Sequence, residues 1–485
     1  MSLHADRTTG ALGIFAAAMI VLGSIHSANT SWNVNSRMAL VFAIVERGTF
    51  AIDGYESSIF FTMDKAEFNG HYYSDKAFGV SLLCVPLYAA MQSVAHALGL
   101  EWGLQWKIYA LRMWSASLPA AMSLSLLWLL MLRAGAPPRR ALIAVTIAFF
   151  GSSWFGYSTL AMPYSPGIAA CLGAFYLSLY PPGGELRLWQ AATIGGLCGF
   201  ALICDFLFGP IVLAVAIAFL LKLRAGSTRP TALLGASVLA GLVSLAAFFV
   251  YSYAIFGRLS MPYEFEVLPV FREGMARGVM GITAPRLGPA WFLTVHPYRG
   301  VFFWSPWITL ALAGCVMGIR EAGARRFWGW AGLLSFVCYL TLNSGYYMWW
   351  GGATMGARLM LPMMAALPMG LAEVCRRDRS SVWWWSLVGA GVLAMALSIP
   401  LALTNPQLLP VHSDQALMNA TIGTPLGAPQ FTYLARYYGG DWFFGPASRD
   451  HVLRVLPLIA LTMAAAILVW TARRLPSHAD TQGHR

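Results

Sequence analysis

The sequence has few charged residues for its length and lacks the motifs of the common soluble enzyme families. Only 11% of its 485 residues are charged, and acidic residues number 20 against 32 lysines and arginines. It has no zinc-type ligand spacing, no phosphate-binding P-loop and no G-x-S-x-G elbow. It also has no internal repeat and no low-complexity segment, whereas repeated halves are typical of transporters. These absences disfavour soluble-type catalytic families and weaken the case for a transporter.

The seven cysteines give no sign of disulfides or of a metal site. They fall in or at the ends of apolar segments and show no paired spacing in loops, so we expect small core residues. They are Cys84, Cys171, Cys198, Cys204, Cys315, Cys338 and Cys375.

Hydrophobic residues dominate the composition. They make up 58% of the chain, and the mean hydropathy is +0.62, well above that of a soluble protein. The sequence therefore predicts an all-α polytopic membrane protein, a single integral membrane domain over residues 1–485 with about 12 to 13 transmembrane helices. Candidate spans are 9–28, 109–133, 141–160, 165–180, 190–205, 206–223, 230–256, 301–319, 327–344, 357–375, 382–404 and 452–472. The first lacks a clear small-x-small cleavage site and is interpreted as an uncleaved helix.

Basic residues cluster in short loops and indicate the sidedness of the chain. The net charge of +12 arises largely there, where the positive-inside rule explains it better than nucleic-acid binding does. With the N-terminus in the cytoplasm, all the basic clusters fall on the cytoplasmic side if the apolar segment 77–98 is re-entrant or interfacial. The alternative is that 77–98 spans the membrane fully and that another helix has been miscounted. The predicted cytoplasmic clusters are Arg133/Arg139/Arg140, Lys222/Arg224/Arg229, Arg320/Arg325/Arg326, Arg376/Arg377/Arg379 and Arg473/Arg474.

Three long loops then face the opposite, extracytoplasmic side. They are residues 29–76, 257–300 and 405–451, and a shorter loop, 345–356, joins them. Residues 36–47 within the first loop are apolar at the centre and polar at the ends, which predicts a helix in the membrane interface.

The first loop concentrates six of the 20 acidic residues beside the membrane. These are Glu46, Asp53, Glu56, Asp64, Glu67 and Asp75, and Lys76 follows the last of them. A partly desolvated carboxylate there could act as a general base, and Lys76 could bind a departing phosphate. The alternative is a set of solvated loop acids, with Asp75 and Lys76 marking a helix start.

A second constellation runs from Gly345 to Arg358 and contains four aromatic residues and several glycines. Glycines allow close approach of a ligand, and Arg358 at the outer end of a helix calls for an anion such as a lipid phosphate. An aromatic belt with a snorkelling arginine is the alternative.

The loop 257–300, with Pro262-Tyr-Glu-Phe-Glu266 and His296-Pro-Tyr-Arg-Gly300, suits a substrate wall or an ordinary connection. Asp205, alone in an apolar run, is either a functional intramembrane acid or a turn residue.

Short motifs in these loops resemble the GT-C superfamily of polytopic glycosyltransferases. The resemblance is strongest to its branch of protein O-mannosyltransferases and lipid A aminoarabinose transferases. The motifs that carry it are Asn35-Ser-Arg37, Gly48-Thr49, Ile52-Asp53, Asp64-Lys65-Ala66, Asn69-Gly-His-Tyr-Tyr-Ser-Asp-Lys76, Gly79, Tyr298-Arg-Gly300, Ser305-Pro306, Trp349-Trp-Gly-Gly352, Gly356 and Arg358. The family's early acid is absent, because asparagines occupy residues 33 and 35.

The resemblance implies a GT-C-type bundle with interfacial helices in the first loop. It also implies transfer of a sugar from a polyprenyl-phosphate donor to an extracytoplasmic glycan, glycolipid or protein acceptor, an EC 2.4 activity. The base is then expected among Asp53, Asp64 and Asp75, with Asp64 or Asp53 favoured. Phosphate ligands would be Lys76, Arg358 and Arg37, and substrate contacts His71, Tyr72, Tyr347, Trp350 and Arg299.

No cofactor is required on this interpretation, no metal ligand is assigned, and a divalent metal stays open. The partners would be the donor, the acceptor and membrane lipids, but no nucleic acid. The location would be a bacterial inner membrane, with the site facing the periplasm or the exterior. A surface-polysaccharide polymerase and a lipid-linked sugar transporter are the alternative functions.

Overall fold

The chain forms an all-α bundle of membrane helices, as the composition predicts. A computed structural model describes residues 2–25, 31–352, 354–377, 381–404 and 451–476. Within those ranges seven helices are long and apolar enough to cross a membrane, or eight if one bent pair is a single span. They are Arg7–Ser24, Gly79–Leu98, Leu104–Arg133, Phe206–Arg224, Pro230–Phe256, Val382–Pro400 and Leu456–Arg474. The protein is therefore an integral membrane protein.

The α-helices follow one another with few other elements between them. In chain order they are α1 Ser2–Ser24, α2 Trp32–Arg47, α3 Gly79–Leu98, α4 Leu104–Arg112, α5 Leu118–Arg133, α6 Pro138–Phe150, α7 Ser153–Tyr157, α8 Tyr164–Leu179, α9 Leu188–Cys204, α10 Gly209–Arg224, α11 Pro230–Phe256, α12 Pro269–Met275, α13 Leu287–Thr294, α14 Val301–Trp304, α15 Trp307–Ile319, α16 Gly323–Gly345, α17 Leu371–Arg376, α18 Val382–Thr404 and α19 His451–Arg474. Short 3₁₀ helices cover Phe206–Phe208, Pro262–Phe265, Arg358–Ala365 and Leu367–Gly370, and a π-helical turn, Met113–Ser117, joins α4 to α5.

Two predicted spans are interrupted. The span predicted at 141–160 is divided into α6 and α7, which are separated at Gly151 and Ser152. The span predicted at 357–375 is a pair of helical segments bent by 51°. Pro362 and Pro368 lie in its 3₁₀ segments, and because proline has no N–H and clashes with the preceding turn, they disfavour a regular α-helix. The predicted loop 405–451 lies almost entirely outside the described residues.

The segment 77–98 forms the helix α3, which is long and apolar enough to cross a membrane. Near its start, the carbonyl of Leu83 accepts from Trp114 Nε1 in the π-helical turn over 2.9 Å. The neighbouring α4 contacts the end of α1, where Tyr109 donates to the carbonyl of Gly23 over 2.7 Å. The re-entrant or interfacial interpretation of α3, and the sidedness that depends on it, stay predictions.

The predicted interfacial helix at 36–47 is part of α2, which is longer and more enclosed than expected. Ser31 caps its start by accepting from the amide of Val34, and Gly48 ends it in a left-handed conformation. Every residue from Val34 to Ala43 is buried, and α2 is joined to the rest of the first loop by Asn35, which donates to the carbonyl of Phe61, and by Ser36, which hydrogen-bonds Ser74.

One β-hairpin interrupts the helices in the first loop. Strands β1 (Lys65–Phe68) and β2 (His71–Ser74) pair antiparallel, with Lys65 opposite Ser74 and Phe68 opposite His71. The two turn residues, Asn69 and Gly70, both have positive φ, as a type I′ turn requires. The sequence analysis did not predict this hairpin, and it is the element that assembles the site.

Candidate active site

The hairpin brings two of the predicted acids together around one lysine. Asp64 directly precedes β1 and Asp75 directly follows β2, so the strand pairing places both at the open end of the hairpin. Lys76 Nζ lies 2.9 Å from Asp64 Oδ2 and 2.5 Å from Asp75 Oδ2. Three predicted site residues therefore share a single ion-pair network.

The two acids differ in how many of their oxygens are occupied. Asp75 has a fully buried side chain, and its Oδ1 accepts from Ser36 over 3.3 Å while Oδ2 contacts Lys76. Asp64 remains 13% exposed at its side chain. Its Oδ1 has no hydrogen-bond or ion-pair partner among the residues that the structure describes. Asp64 is thus the acid with a free oxygen, whereas Asp75 is held in place.

Glu266 is a third acid in the network, and the sequence analysis had not assigned it a role. An antiparallel bridge between Ala66 and Glu266, together with the amide of Val267 donating to the carbonyl of Lys65 over 3.1 Å, fixes it beside β1. Glu266 is 3% exposed, and its carboxyl group is close enough to Asp75 to interact electrostatically. Its Oε2 is buried with no partner in the described part of the chain. We call Asp64, Asp75, Lys76 and Glu266 the acid–lysine cluster.

Burial and crowding perturb the protonation of this cluster. Burial raises the pKa of Glu266 well above its ordinary value, and neighbouring Asp75 adds to the effect. Burial also raises the pKa of Asp64, with Asp75 contributing and Lys76 opposing. Although burial lowers the pKa of Lys76, the attraction of Asp64 and Asp75 outweighs it, so the pKa of Lys76 is raised. Lys76 therefore stays charged, and Asp64 is shifted towards the range where a carboxylate works as a base.

Arg358 supplies a second cation beside the cluster. It packs along the glycine turn at Gly351 and Gly352 and is close enough to Asp64 to interact electrostatically. Within the described ranges Arg358 forms no hydrogen bond and no ion pair, and its Nε is buried without a partner. A guanidinium in this state is a site for an anion, and a phosphate suits its planar fork of donors.

The wall behind Arg358 is polar and aromatic. Tyr157 and Tyr164 lie near the guanidinium, and the Tyr157 hydroxyl donates to Thr354. Neither tyrosine was predicted as a site residue, since Tyr157 lies within one predicted membrane helix and Tyr164 directly precedes the next.

Arg299 lies behind the glycine turn and is not available to a substrate. Its side chain is fully buried. Its Nε donates to the carbonyl of Trp350 over 3.0 Å, Nη2 donates to the carbonyl of Gly352 over 2.8 Å, and Nη1 donates to the carbonyl of Thr354. The prediction of Arg299 as a substrate contact is corrected, because all these donors hold the loop that carries Arg358.

The two aromatic residues predicted in the same segment differ in their surroundings. Tyr347 packs its ring on Gly274 and Gly281, and its amide donates to the carbonyl of Gly281 over 2.9 Å. It joins this segment to the loop 257–300. Trp350 is half-buried, and its indole N–H is buried with no partner among the described residues. Of the two, Trp350 retains a free donor for a ligand.

Asp53 and its neighbours lie outside the acid–lysine cluster. Asp53 Oδ2 is 2.6 Å from His71 Nδ1, and Oδ1 accepts from the amide of Tyr72 over 2.7 Å. Lys65 Nζ lies 4.1 Å from the ring centroid of Tyr72. In the described part of the chain no contact joins Asp53, His71 or Tyr72 to Lys76 or Arg358. Asp53 is 38% exposed and secures the hairpin, so we no longer regard it as a candidate base.

Arg37 is an internal residue of α2. It is 2% exposed, its Nη1 donates to the carbonyl of Ala77 over 2.6 Å, and its Nε donates to Asn33 over 3.2 Å. Arg37 thus anchors the chain just before α3, and its burial corrects its assignment as a phosphate ligand.

Asp205 occupies the break between α9 and α10. Its Oδ1 accepts from the amide of Leu207 over 3.0 Å and so caps the short 3₁₀ helix there. This is the turn that the sequence analysis offered as one alternative. Among the described residues no group of three His, Cys, Asp or Glu side chains has an arrangement suited to a metal ion.

Comparison with known proteins gives a likeness among solved structures. No family model matches the sequence, and no curated protein matches it. Among solved structures, the chain is similar to ArnT from Cupriavidus metallidurans, in a crystal structure bound to undecaprenyl phosphate, with 14% identity and a TM-score of 0.48. The match covers 97% of this chain and 76% of that one. At this identity and TM-score the likeness defines neither family nor site, and the proposals below rest on the residues of the chain itself.

Proposed function

We propose that this protein is a GT-C-type glycosyltransferase that moves a sugar from a polyprenyl-phosphate donor to an acceptor at the extracytoplasmic face. The observation that supports it most is the placement of Arg358, a cation without a partner in the described ranges, beside the ion-paired Asp64 and Lys76. One site thus contains cations that can bind an anionic leaving group and a carboxylate that can accept the proton of an acceptor hydroxyl.

The donor phosphate would bind between Lys76 and Arg358. Lys76 is already ion-paired, whereas Arg358 has no partner within the described residues, so Arg358 would contribute more to the binding of the phosphate. Both charges stabilise negative charge that accumulates on the phosphate as the bond to the sugar breaks. Arg299 contributes indirectly by holding the turn on which Arg358 rests.

In the transfer step Asp64 acts as the base. The acceptor hydroxyl oxygen forms a bond to the anomeric carbon, and the bond from that carbon to the phosphate oxygen breaks. The electron pair leaves with the polyprenyl phosphate, and the hydroxyl proton passes to Asp64. Asp64 is chosen over Asp75 because its Oδ1 is free, while both oxygens of Asp75 are occupied.

The lipid part of the donor fits the setting of the site. On the predicted sidedness the acid–lysine cluster would face the extracytoplasmic side, next to the apolar helix α3, so a phosphate could be bound while its polyprenyl chain remains in the bilayer. A bacterial inner membrane with the site facing the periplasm or exterior would suit a glycan, glycolipid or protein acceptor. A surface-polysaccharide polymerase or a lipid-linked sugar transporter would also need to bind a lipid phosphate.

The test uses purified protein in detergent with a radiolabelled polyprenyl-phosphate sugar and a mixture of candidate acceptors. We expect sugar to appear on an acceptor together with an equal amount of free polyprenyl phosphate, and Asp64→Asn to abolish both products. Movement of intact donor across a vesicle membrane without bond cleavage would indicate the transporter. Products with many added repeat units would indicate the polymerase.

A further inference from the structure

We infer that Glu266 binds a ring hydroxyl of the transferred sugar, so that the site recognises the sugar of its donor as well as the phosphate. The inference deepens the proposed function and rests on it, because both concern the same site. It assigns a role to a buried carboxyl group that the transfer step leaves unused.

The backbone fixes Glu266 at the edge of the hairpin. It pairs with Ala66 in an antiparallel bridge, and the amide of Val267 donates to the carbonyl of Lys65 over 3.1 Å. Two residues paired in this way point their side chains to the same face of the ribbon, and alternate residues along a strand share a face. Glu266 therefore projects to the same face as Asp64, which lies two residues before Ala66.

Electrostatic contacts agree with this placement. The carboxyl group of Glu266 is close enough to both Asp64 and Lys76 to interact electrostatically. Since neighbouring strands lie about 5 Å apart and each residue advances a strand by about 3.3 Å, about 8 Å separates the backbones of Glu266 and Asp64. A sugar ring placed between these two residues can contact both side chains.

The carboxyl group of Glu266 is buried without a partner for one of its oxygens. The residue is 3% exposed, and Oε2 has no hydrogen-bond partner among the described residues. A buried polar atom that lacks a partner destabilises the fold, and native proteins satisfy nearly all such atoms. The charged groups around Glu266 include two carboxylates and one lysine, so the acid adds little to the stability of the fold. A ligand that supplies the missing partner explains why a carboxyl group occupies this position.

The unpaired atoms of the site match the two halves of a sugar phosphate. Arg358 Nε and the indole N–H of Trp350 are buried donors without partners in the described part of the chain. Such donors suit phosphate oxygens, whereas a carboxyl group binds hydroxyl groups and disfavours a phosphate. Asp64 is engaged with the acceptor hydroxyl in the proposed transfer step. A hydroxyl of the sugar ring is then the group that remains for Glu266.

The experiment measures how much affinity the sugar adds to a lipid phosphate. The probes are farnesyl phosphate and farnesyl phosphates that carry glucose, mannose, N-acetylglucosamine or xylose, titrated calorimetrically into protein in detergent. Glu266→Met removes both carboxyl oxygens at nearly constant side-chain length, whereas Glu266→Gln keeps one acceptor oxygen.

We expect Glu266→Met to bind the sugar-bearing probe that the wild type prefers about tenfold or more weakly, as when one hydrogen bond to a carboxyl group is lost. It should bind farnesyl phosphate at least as tightly as the wild type does. Glu266→Gln should have an affinity for the sugar-bearing probe between those of the wild type and Glu266→Met. The matched control is Glu264→Met, two residues away, whose side chain is 52% exposed and pairs with Arg258. It should bind every probe as the wild type does.

Thermal unfolding without ligand separates binding from a structural role. Because Oε2 forms no hydrogen bond with the described residues, Glu266→Met should not lower the unfolding temperature by more than about 2 °C. A larger fall would give Glu266 a structural role and overturn the inference. Unchanged affinity of Glu266→Met for the sugar-bearing probe would overturn it too, and so would a wild type to which no sugar adds affinity.

The outcome with farnesyl phosphate distinguishes this inference from the proposed function. If the wild type binds farnesyl phosphate while any of the contrary results is found, the inference alone fails and the lipid-phosphate site stands. If the wild type does not bind farnesyl phosphate, the proposed function fails and the inference fails with it.

Discussion

Lys76 Nζ lies 2.9 Å from Asp64 Oδ2, a contact that joins the residue before β1 to a residue just after β2. It closes the open end of the hairpin and places a cation beside the candidate base. The same contact makes the two residues interdependent, because removing either one shifts the pKa of the other.

Replacement of Asp64 by asparagine should remove the base while keeping the shape of the side chain. We expect transfer to fall by about 10²- to 10⁴-fold, the usual contribution of a positioned base. Initial rates with the donor and acceptor in excess would measure it. Asp53→Asn is the control, because Asp53 is paired with His71 away from the cluster, and its activity should stay within about threefold of the wild type. Equal losses in both variants would show that Asp64 has no special role.

Replacement of Arg358 by alanine should weaken stabilisation of the leaving phosphate. We expect kcat/KM for the donor to fall by about 10²-fold or more, as when one donor to a developing anion is removed. Arg358→Lys should have a kcat/KM between those of the wild type and of Arg358→Ala, because lysine keeps the charge but lacks the planar fork of donors. The exposed Arg277 on the loop after α12 provides a control, Arg277→Ala, that should retain wild-type kinetics.

Arg299 should matter to stability more than to direct binding. Arg299→Met leaves the carbonyls of Trp350, Gly352 and Thr354 without their donor, which should lower the free energy of unfolding by about 3 kcal/mol or more. Thermal unfolding in detergent would report the loss. Arg286→Met is the comparison, since Arg286 also donates to two backbone carbonyls but at an exposed position. A similar effect from both substitutions would contradict the role assigned to Arg299.

Removal of the cluster cation should change the response to pH. In Lys76→Met the carboxylate of Asp64 loses its cationic partner, so the pKa of Asp64 in the folded state, already raised by burial, should rise further. Raised acid pKa values stabilise the fold at low pH and lose that effect as pH rises, so the variant should recover stability relative to wild type between about pH 8 and pH 5. Lys76→Arg keeps the charge and should follow the wild type. Parallel curves for Lys76→Met and wild type would refute this prediction.

The helical membrane fold could be predicted from sequence, and the reason is physical. Apolar length indicates membrane helices directly, because the bilayer core sets the length of a span. The sidedness inferred from the arginines stays a prediction. Asp75 and Lys76 were identified because they are adjacent to each other where apolar sequence resumes. The bent segment at 358–376 was mistaken for a regular span, because hydropathy does not register the effect of Pro362 and Pro368 on the helix.

The choice among the acids could not be made from sequence. Asp53 and Asp64 have similar settings in the sequence, and they are distinguished by tertiary contacts, the pairing of Asp53 with His71 and that of Asp64 with Lys76. Glu266 reaches the cluster from about 200 residues further along the chain through a backbone bridge, and no local pattern encodes such a contact. Arg299 and Arg37 were misassigned for the same reason, since the carbonyls that they bind come from distant segments.

The hairpin makes the distance between Asp64 and Asp75 depend on a turn that no substrate touches. With Asn69 and Gly70 both left-handed, the turn holds Lys65 opposite Ser74 and so sets which residues emerge at the open end. A single residue inserted at this exposed tip would shift the strand register and turn one acid to the opposite face of the ribbon. The length of this surface turn is therefore under the same constraint as the charged residues, and the positive φ angles of Asn69 and Gly70 further restrict which residues it can hold.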